Sequence, residues 1–181
     1  FAESWGVTVV HCPYCHGYEL RGLKTAIFAE ADKAIHLAPL IKNLTDDVTV
    51  VTSGEFSYSK DQISNLNAID VEVVQDPIQS IAHENGQLQQ IHFKDRPPMA
   101  FNAMYAGLPF VQHCDIPKTL GCTIDDHGYI EVSPLFKTSI DGIYACGDNC
   151  GRMRSVANAV YSGNVAGAIA NMELTGLQIP H

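Results

Sequence analysis

Two cysteines separated by two residues, Cys12 and Cys15, stand directly after an apolar segment near the start of the sequence. The apolar residues 7–10 predict a β-strand. Pro13 suits the first position of a helix, where its missing N–H costs nothing, so Cys12 is expected at the N-cap, beside the positive helix end that favours a thiolate. This arrangement is typical of a dithiol that cycles to a disulfide by exchange with a partner. His16 adds a group that can carry a proton near neutral pH.

Half of a zinc site also reads Cys-x-x-Cys, and two cysteines of no special function remain a third interpretation. Zinc normally needs a second pair of ligands at short spacing, and the other cysteines are spread unevenly. They are Cys114, Cys122, Cys146 and Cys150. The spacing therefore favours a redox pair and assigns no metal ligand, while the zinc alternative stays open.

Composition excludes several function classes. The 181 residues are 46% hydrophobic and 17% charged, with no apolar run of the roughly 18 to 20 residues that a membrane helix needs. A net charge of −9 disfavours nucleic acid and anionic membranes as partners. Six cysteines are too few for a disulfide scaffold and no leader pattern opens the sequence, so we expect a reducing cytoplasm. The sequence begins at Phe1 without a natural start, which suggests a fragment.

The first half alternates apolar strands with helical segments, which predicts an α/β fold with a parallel sheet flanked by helices. Pro39 is expected to kink the first of these helices. Asn85-Gly86 between two apolar segments predicts a hairpin, and thus a small antiparallel ribbon added to the main sheet. The predicted strands are 24–28, 48–52, 71–74, 78–82 and 88–93, and the predicted helices are 32–44 and 59–68.

The stiff Arg-Pro-Pro segment at 96–98 marks a domain boundary, so we divide the chain into residues 1–97 and 98–181. The second part is predicted to contain strands at 101–106, 124–132 and 143–146 and a helix at 155–174 with a face of small residues.

Gly147 and Asp148 follow the last predicted strand and precede the last helix. A glycine permits close backbone approach, a carboxylate accepts a hydroxyl hydrogen bond, and a helix N-terminus offers N–H groups to an electron-rich ring edge. Many turns contain Gly-Asp without any ligand, so the pair alone is a weak signal.

The residues around Gly147 and Asp148 strengthen the case for a ligand-binding loop. Residues 138–148 resemble the T-S-x-x-G-x-[FY]-A-x-G-D segment of two-dinucleotide-domain flavoproteins, and residues 128–132 resemble the G-Y-I-x-V segment before it. Cys12 and Cys15 fall where low-molecular-weight thioredoxin reductases carry their redox pair. The chain thus resembles a thioredoxin-reductase-like, FAD-dependent pyridine nucleotide-disulfide oxidoreductase with a Rossmann-like, two-domain FAD/NAD(P)-binding architecture.

The resemblance implies an order of domains. Residues 1–97 would be the nicotinamide-domain-like part, and residues 98–181 the last part of the FAD domain, whose first unit would lie before Phe1. It also implies a homodimer that acts on a thioredoxin-like protein or a small disulfide or dithiol.

By position in the family, Cys15 would face the flavin and Cys12 would exchange with the substrate disulfide. Asp148 would bind the ribityl chain after Gly147, and the backbone at Ser155 and Val156 would meet the pyrimidine edge of the ring.

Two departures from the family pattern matter. First, His16 stands where thioredoxin reductases usually have an acidic residue. The segment from Cys12 to Glu19 resembles instead the gliotoxin- and holomycin-type dithiol oxidases, and a neutral imidazole would suit dithiol oxidation because it can accept a thiol proton.

Second, the loop after the strand at 25–28 lacks the glycines that admit a pyrophosphate, and it reads Ala29-Glu30-Ala31-Asp32-Lys33-Ala34. Residues 52–55 also lack the basic cluster that reads the 2′-phosphate. NADPH binding is therefore disfavoured.

The leading hypothesis is an FAD-dependent thiol–disulfide oxidoreductase that uses Cys12, Cys15 and His16. A flavin-dependent dithiol oxidase that uses oxygen is the first alternative. A non-enzymatic zinc-binding or degenerate interaction module is the second.

Overall fold

The computed structural model of the chain describes residues 1–54 and 56–176. Apolar segments form the strands β1 (Val9–Val10), β2 (Thr25–Phe28), β3 (Val48–Val51), β4 (Glu72–Val74) and β8 (Ala103–Ala106). These strands make a five-stranded parallel sheet in the order β1-β8-β2-β3-β4. The alternation of strands and helices thus builds the predicted α/β sheet.

Helices α2 (Ala31–Lys42) and α3 (Lys60–Asn67) pack on one face of this sheet through a continuous apolar core. Residues 31–42 form one unbroken helix through Pro39, so the predicted interruption is not observed. Leu37 and Ile41 are buried against the sheet and hold the helix in place, although Pro39 has no N–H to donate.

An antiparallel sheet covers the opposite face. It consists of β5 (Ile78–Glu84), β6 (Gln87–Phe93) and β7 (Met99–Ala100). The turn residues Asn85 and Gly86 both have positive φ, 51° and 81°, as a two-residue hairpin turn requires. The predicted hairpin is confirmed, but the ribbon is a separate sheet packed on the main one through a second apolar core.

Strand β8 changes the domain boundary. It lies between β1 and β2 in the parallel sheet, whereas the sequence assigned residues 101–106 to the second domain. The first compact unit accordingly runs from Phe1 to Leu108, and the second begins at Pro109. The boundary therefore lies after Leu108 and not at the proline pair, because strand pairing keeps the chain in the first unit.

The second unit contains helices α4 (Ile116–Thr119) and α5 (Val156–Leu174) around a small core of Cys122, Ile130 and Ala145. The predicted α5 is confirmed. The predicted strands at 124–132 and 143–146 are not observed. In the described part of this unit, β-type pairing is limited to the isolated bridges Ile124–Ile130 and Lys137–Tyr144. A strand needs consecutive pairs with a neighbour, and these segments have single ones.

Within residues 1–54 and 56–176, none of the helices combines the length and apolar character needed to cross a bilayer.

Candidate active site

The cysteine pair lies on a single helical turn, α1 (Pro13–His16), that follows β1. Cys12 is the N-cap with an extended backbone (φ −139°, ψ 120°), and Pro13 occupies the first helical position. The Cys12 carbonyl accepts hydrogen bonds from the backbone N–H groups of Cys15 and His16, both at 3.3 Å. The turn therefore has the predicted geometry, with Cys12 beside the positive end of the helix.

The pair is accessible from solvent. Cys15 is exposed and Cys12 is partly buried, and the intervening Tyr14 is 83% exposed. None of the six cysteines, all of which lie within the described residues, forms a disulfide. A thiol–disulfide partner can thus approach the turn.

His16 has an unsatisfied polar atom. Its Nδ1 is buried and has no hydrogen-bond partner in the described part of the chain. The His16 ring meets the His11 ring edge to face at 6.4 Å between centroids, and His11 stacks on Trp5 at 6.2 Å. An imidazole with an unoccupied ring nitrogen can accept a thiol proton.

Three further residues lie near this turn and were not predicted from the sequence: Trp5, His11 and Tyr105. His11 adjoins Cys12 in sequence, which is a local signal. Tyr105 lies on β8 in register with Val10, and only the strand pairing reveals this.

The Gly147 loop lies in the second unit. Gly147 begins a short 3-10 helix, Gly147–Asn149, with φ +80°, a conformation that favours glycine. Its N–H donates to Ser162 Oγ of α5 at 2.9 Å, which ties the loop to the helix. The Asp148 side chain is exposed, and the neighbouring Asn149 has a buried Oδ1 with no partner among the described residues.

The N-terminus of α5 is open to solvent. Ser155 is the N-cap, and its Oγ accepts from the N–H of Asn158 at 3.1 Å. Val156 is 82% exposed at the first helical position. The N–H groups of Val156 and Ala157 precede the first intrahelical bond and can donate to an electron-rich group.

The predicted site residues therefore fall into two groups. Cys12, Cys15 and His16 share the turn in the first unit. Gly147, Asp148, Ser155 and Val156 share the loop and helix start in the second unit.

The turn between β2 and α2 is closed. Ala29 is fully buried, and its carbonyl accepts a hydrogen bond from the Tyr58 hydroxyl at 2.6 Å. Gln62 Nε2 donates to Asp32 Oδ1 at 3.0 Å, so the first turn of α3 is joined to the start of α2. A Cβ added to Gly107 would lie 2.8 Å from the Ala29 methyl, which shows how tightly the turn is packed.

Electrostatics agree with this closure. Burial, and then the negative charge of Glu30, raises the pKa of Tyr58 well above its ordinary value. The hydroxyl therefore keeps its proton and remains a hydrogen-bond donor to Ala29.

The other cysteines do not form a second cluster. Cys122 is buried, Cys114 and Cys146 are exposed, and burial followed by the charge of Cys146 raises the pKa of Cys150. In the part of the chain that the structure describes, no three His, Cys, Asp or Glu side chains are placed to hold one metal ion.

Comparison with known proteins places this geometry in a family. The model of the family described as pyridine nucleotide-disulphide oxidoreductase matches residues 34–163. The chain belongs to this family. Thioredoxin reductase tcpT of Claviceps purpurea is 29% identical over an alignment of 185 residues, and the match covers 96% of this chain and 57% of that protein. Thioredoxin reductase sirT of Leptosphaeria maculans is 27% identical, with coverages of 97% and 58%.

A solved member has the same fold. The crystal structure of the oxidoreductase from Agrobacterium tumefaciens superposes with a TM-score of 0.86 and 32% identity, covering 98% of this chain and 60% of that one. The chain thus spans less than two thirds of the length of the relatives it matches.

Proposed function

We propose that the protein containing this chain is an FAD-dependent thiol–disulfide oxidoreductase of the thioredoxin-reductase-like kind. One observation carries the proposal: in a member of this family, a Cys-x-x-Cys pair occupies a single helical turn, with Cys12 at its N-cap and Cys15 exposed. Helix dipole and N–H groups favour a thiolate at that position.

Cys12 attacks a substrate disulfide to give a mixed disulfide, and the released sulfur leaves as a thiol. Cys15 then attacks Cys12, which releases the second substrate thiol and leaves the Cys12–Cys15 disulfide. In the reverse direction a substrate dithiol reduces the Cys12–Cys15 disulfide and leaves as the substrate disulfide, which returns Cys12 and Cys15 to thiols, and His16 Nδ1 accepts a proton from an attacking thiol. FAD, when bound, supplies reversible two-electron chemistry for this pair.

The second unit fits a flavin. The buried Asn149 Oδ1 has no hydrogen-bond donor among the described residues and could accept one from a flavin. The exposed carboxylate of the neighbouring Asp148 can accept a hydrogen bond from a ribityl hydroxyl. Gly147 would allow close backbone approach to the cofactor. The N–H groups at the start of α5, beginning at Ser155 and Val156, would donate to the ring edge.

The test uses the full-length protein with its flavin. Under anaerobic conditions, dithiothreitol should bleach the flavin absorbance, and Cys15→Ser should abolish the bleaching. Cys114→Ser, which changes an exposed cysteine outside the pair, is the matched control and should bleach normally. A full-length protein that purifies without flavin, or a Cys15→Ser variant that bleaches like the parent, would refute the proposal, and zinc bound by cysteines would support a non-enzymatic module.

A second candidate function is a flavin-dependent dithiol oxidase, favoured by the closed β2–α2 turn. Ala29 and Ala31 carry methyl groups at positions where a pyrophosphate needs to come close to the backbone, and Glu30 adds a negative charge there. The Ala29 carbonyl also accepts a hydrogen bond from the Tyr58 hydroxyl. These residues do not fit a nicotinamide dinucleotide. In this function a dithiol and O₂ would yield a disulfide and H₂O₂.

Two measurements separate the candidates. Anaerobic mixing of the full-length protein with NADPH should leave the flavin oxidised, and aerobic mixing with a dithiol should produce one H₂O₂ per disulfide formed. Rapid bleaching by NADPH would instead support a reductase.

The partner and setting are part of the same proposal. The relatives are named thioredoxin reductases, which supports a thioredoxin-like protein or a small disulfide or dithiol as the partner. Six cysteines without a disulfide support a reducing cytoplasm. A homodimer is expected from the family resemblance.

A further inference from the structure

The side-chain amide of Gln112 joins the loop that carries Asp148 to another part of the second unit. Gln112 Nε2 donates hydrogen bonds to the Asn149 carbonyl at 2.8 Å and to the Gly128 carbonyl at 2.9 Å. The amide nitrogen carries two hydrogens, so each of the two carbonyls can take one. Gln112 precedes Asn149 by 37 positions and lies in an irregular segment, so this link between the two carbonyls is a tertiary contact.

The Gly128 end of the link belongs to a closed turn. Asp125 Oδ1 accepts from the N–H groups of His127 and Tyr129 at 2.8 and 2.9 Å, which fixes the backbone on both sides of Gly128. The Phe110 ring stacks on the Tyr129 ring with 4.5 Å between centroids, so the segment that leads to Gln112 packs on the same turn. Gln112 therefore extends from a rigid support.

The Asn149 end of the link belongs to the loop itself. The Asn149 carbonyl also accepts from the Ile130 N–H at 2.9 Å, so the backbone is held directly after Asp148. Directly before Asp148, the Gly147 N–H donates to Ser162 Oγ at 2.9 Å. The exposed Asp148 carboxylate thus extends from a short stretch of backbone that is hydrogen-bonded at both ends.

We propose that Gln112 is a positioning residue for flavin binding, because its two hydrogen bonds hold the loop in the conformation that presents Asp148 to a ribityl hydroxyl before FAD arrives. The proposal rests on the proposed function, since it assigns Gln112 to the preparation of the FAD site. A loop that is ordered in advance lowers the entropy cost of binding. The apparent dissociation constant for FAD therefore increases as the fraction of molecules with an ordered loop falls.

The test measures the affinity for FAD and the stability of the same variants. The full-length protein, its Gln112→Met variant and a Gln62→Met variant are stripped of flavin, and FAD is titrated back while its fluorescence is followed. Gln62→Met is the matched control, because it removes the same amide from a hydrogen bond to Asp32 in the first unit. Urea denaturation gives the free energy of unfolding of each protein.

We expect the dissociation constant for FAD to increase about tenfold in Gln112→Met, because two hydrogen bonds that order the loop are lost, and to stay unchanged in Gln62→Met. An unchanged dissociation constant in Gln112→Met, or an equal increase in both variants, would overturn the proposal. If the parent binds FAD in that case, the proposed function stands without it. A full-length parent that binds no FAD would refute both.

A second measurement needs no variant and therefore covers a Gln112→Met protein that does not fold. Hydrogen exchange of the full-length parent is followed by mass spectrometry with FAD bound and after FAD is removed. A loop that Gln112 orders in advance should keep slow exchange in peptides covering residues 146–150 in both states, where the N–H groups of Gly147 and Cys150 are hydrogen-bonded. Exchange at the rate of an unstructured peptide after FAD is removed would contradict the proposal.

Discussion

Two strand-to-helix turns of the same parallel sheet have opposite properties. After β1 the chain turns through Cys12 into α1 and leaves Cys15 exposed. After β2 the chain turns through the buried Ala29 into α2, and Tyr58 closes it. In doubly wound sheets, ligands bind beyond the carboxyl ends of the strands, which is where both turns lie.

The two turns differ in exposure mainly because other segments cover the second turn and not the first. Tyr58, just before α3, donates a hydrogen bond to Ala29 of the second turn, and Gln62, in the first turn of α3, donates one to Asp32. The turn after β1 packs on buried residues of the sheet, and its Cys15 side faces solvent. One edge of one sheet thus offers a reactive pair at one strand and a closed surface at another.

The largest expected effect concerns the support of β1. The Thr8 hydroxyl donates to the Gly86 carbonyl at 2.7 Å and accepts from the Leu88 N–H at 2.9 Å, and Thr8 is 3% exposed. Thr8→Val leaves both buried backbone groups unpaired, so the free energy of unfolding should fall by about 3 kcal/mol. Urea denaturation of the full-length protein measures this, and Thr8→Ser, which keeps the hydroxyl, should lose much less. If both variants lost the same free energy of unfolding, the Thr8 hydroxyl would not be what stabilises this part of the chain.

Gly17→Ala should disturb the cysteine turn directly. The new methyl would overlap the backbone carbonyl of Pro13 and lie 2.6 Å from Leu44 Cδ1, and a backbone atom cannot move away cheaply. We expect a loss of about 2 kcal/mol in the free energy of unfolding, with faster amide exchange at residues 12–17. Gly163→Ala, where nothing lies within 4 Å of the new methyl, is the control and should be close to neutral. Unchanged exchange at residues 12–17 would show that the turn accommodates the methyl.

Tyr58→Phe should loosen the closed turn only. It leaves the Ala29 carbonyl without its donor, which should cost about 1 kcal/mol. Hydrogen exchange followed by mass spectrometry should show faster exchange in peptides covering residues 28–34 and no change in peptides covering residues 9–17. Faster exchange in both would mean that the two turns are not independent.

The smallest effect is expected at the start of α3. Ser59 Oγ accepts from the Gln62 N–H at 3.2 Å, and Gln62 Oε1 accepts from the Ser59 N–H at 2.9 Å, which forms a capping box. Ser59→Ala should cost somewhat less than about 1 kcal/mol, and Ser59→Asp should restore most of it. Thermal denaturation of the full-length protein compares the two, and the absence of any rescue by aspartate would contradict a capping role.

Local sequence signals predicted the elements whose geometry depends on neighbouring residues. Pro13 predicted the start of α1, Asn85-Gly86 predicted the hairpin, and Ser155 marks the N-cap of α5. These features follow from single backbone preferences, so a short window is enough to recognise them.

Features that depend on distant segments could not be predicted in this way. The position of β8 inside the sheet follows from pairing with β1 and β2, which lie 95 and 78 residues earlier, and the hydrogen bond from Tyr58 to Ala29 crosses 29 positions of sequence. Tyr105 lies beside Val10 only because of the register of β1 and β8. The cysteine pair itself was recognisable, whereas the residues that support it were not.

The distance in sequence between β1 and its supports also has a consequence for biosynthesis. Within residues 1–54 and 56–176, β1 stands at the end of the parallel sheet and pairs with β8, and the Thr8 hydroxyl donates to a carbonyl 78 positions later. Cys12 and Cys15 therefore leave the ribosome long before the strand that carries them can be paired. During that interval no folded structure holds the two thiols, so they are open to premature cross-linking.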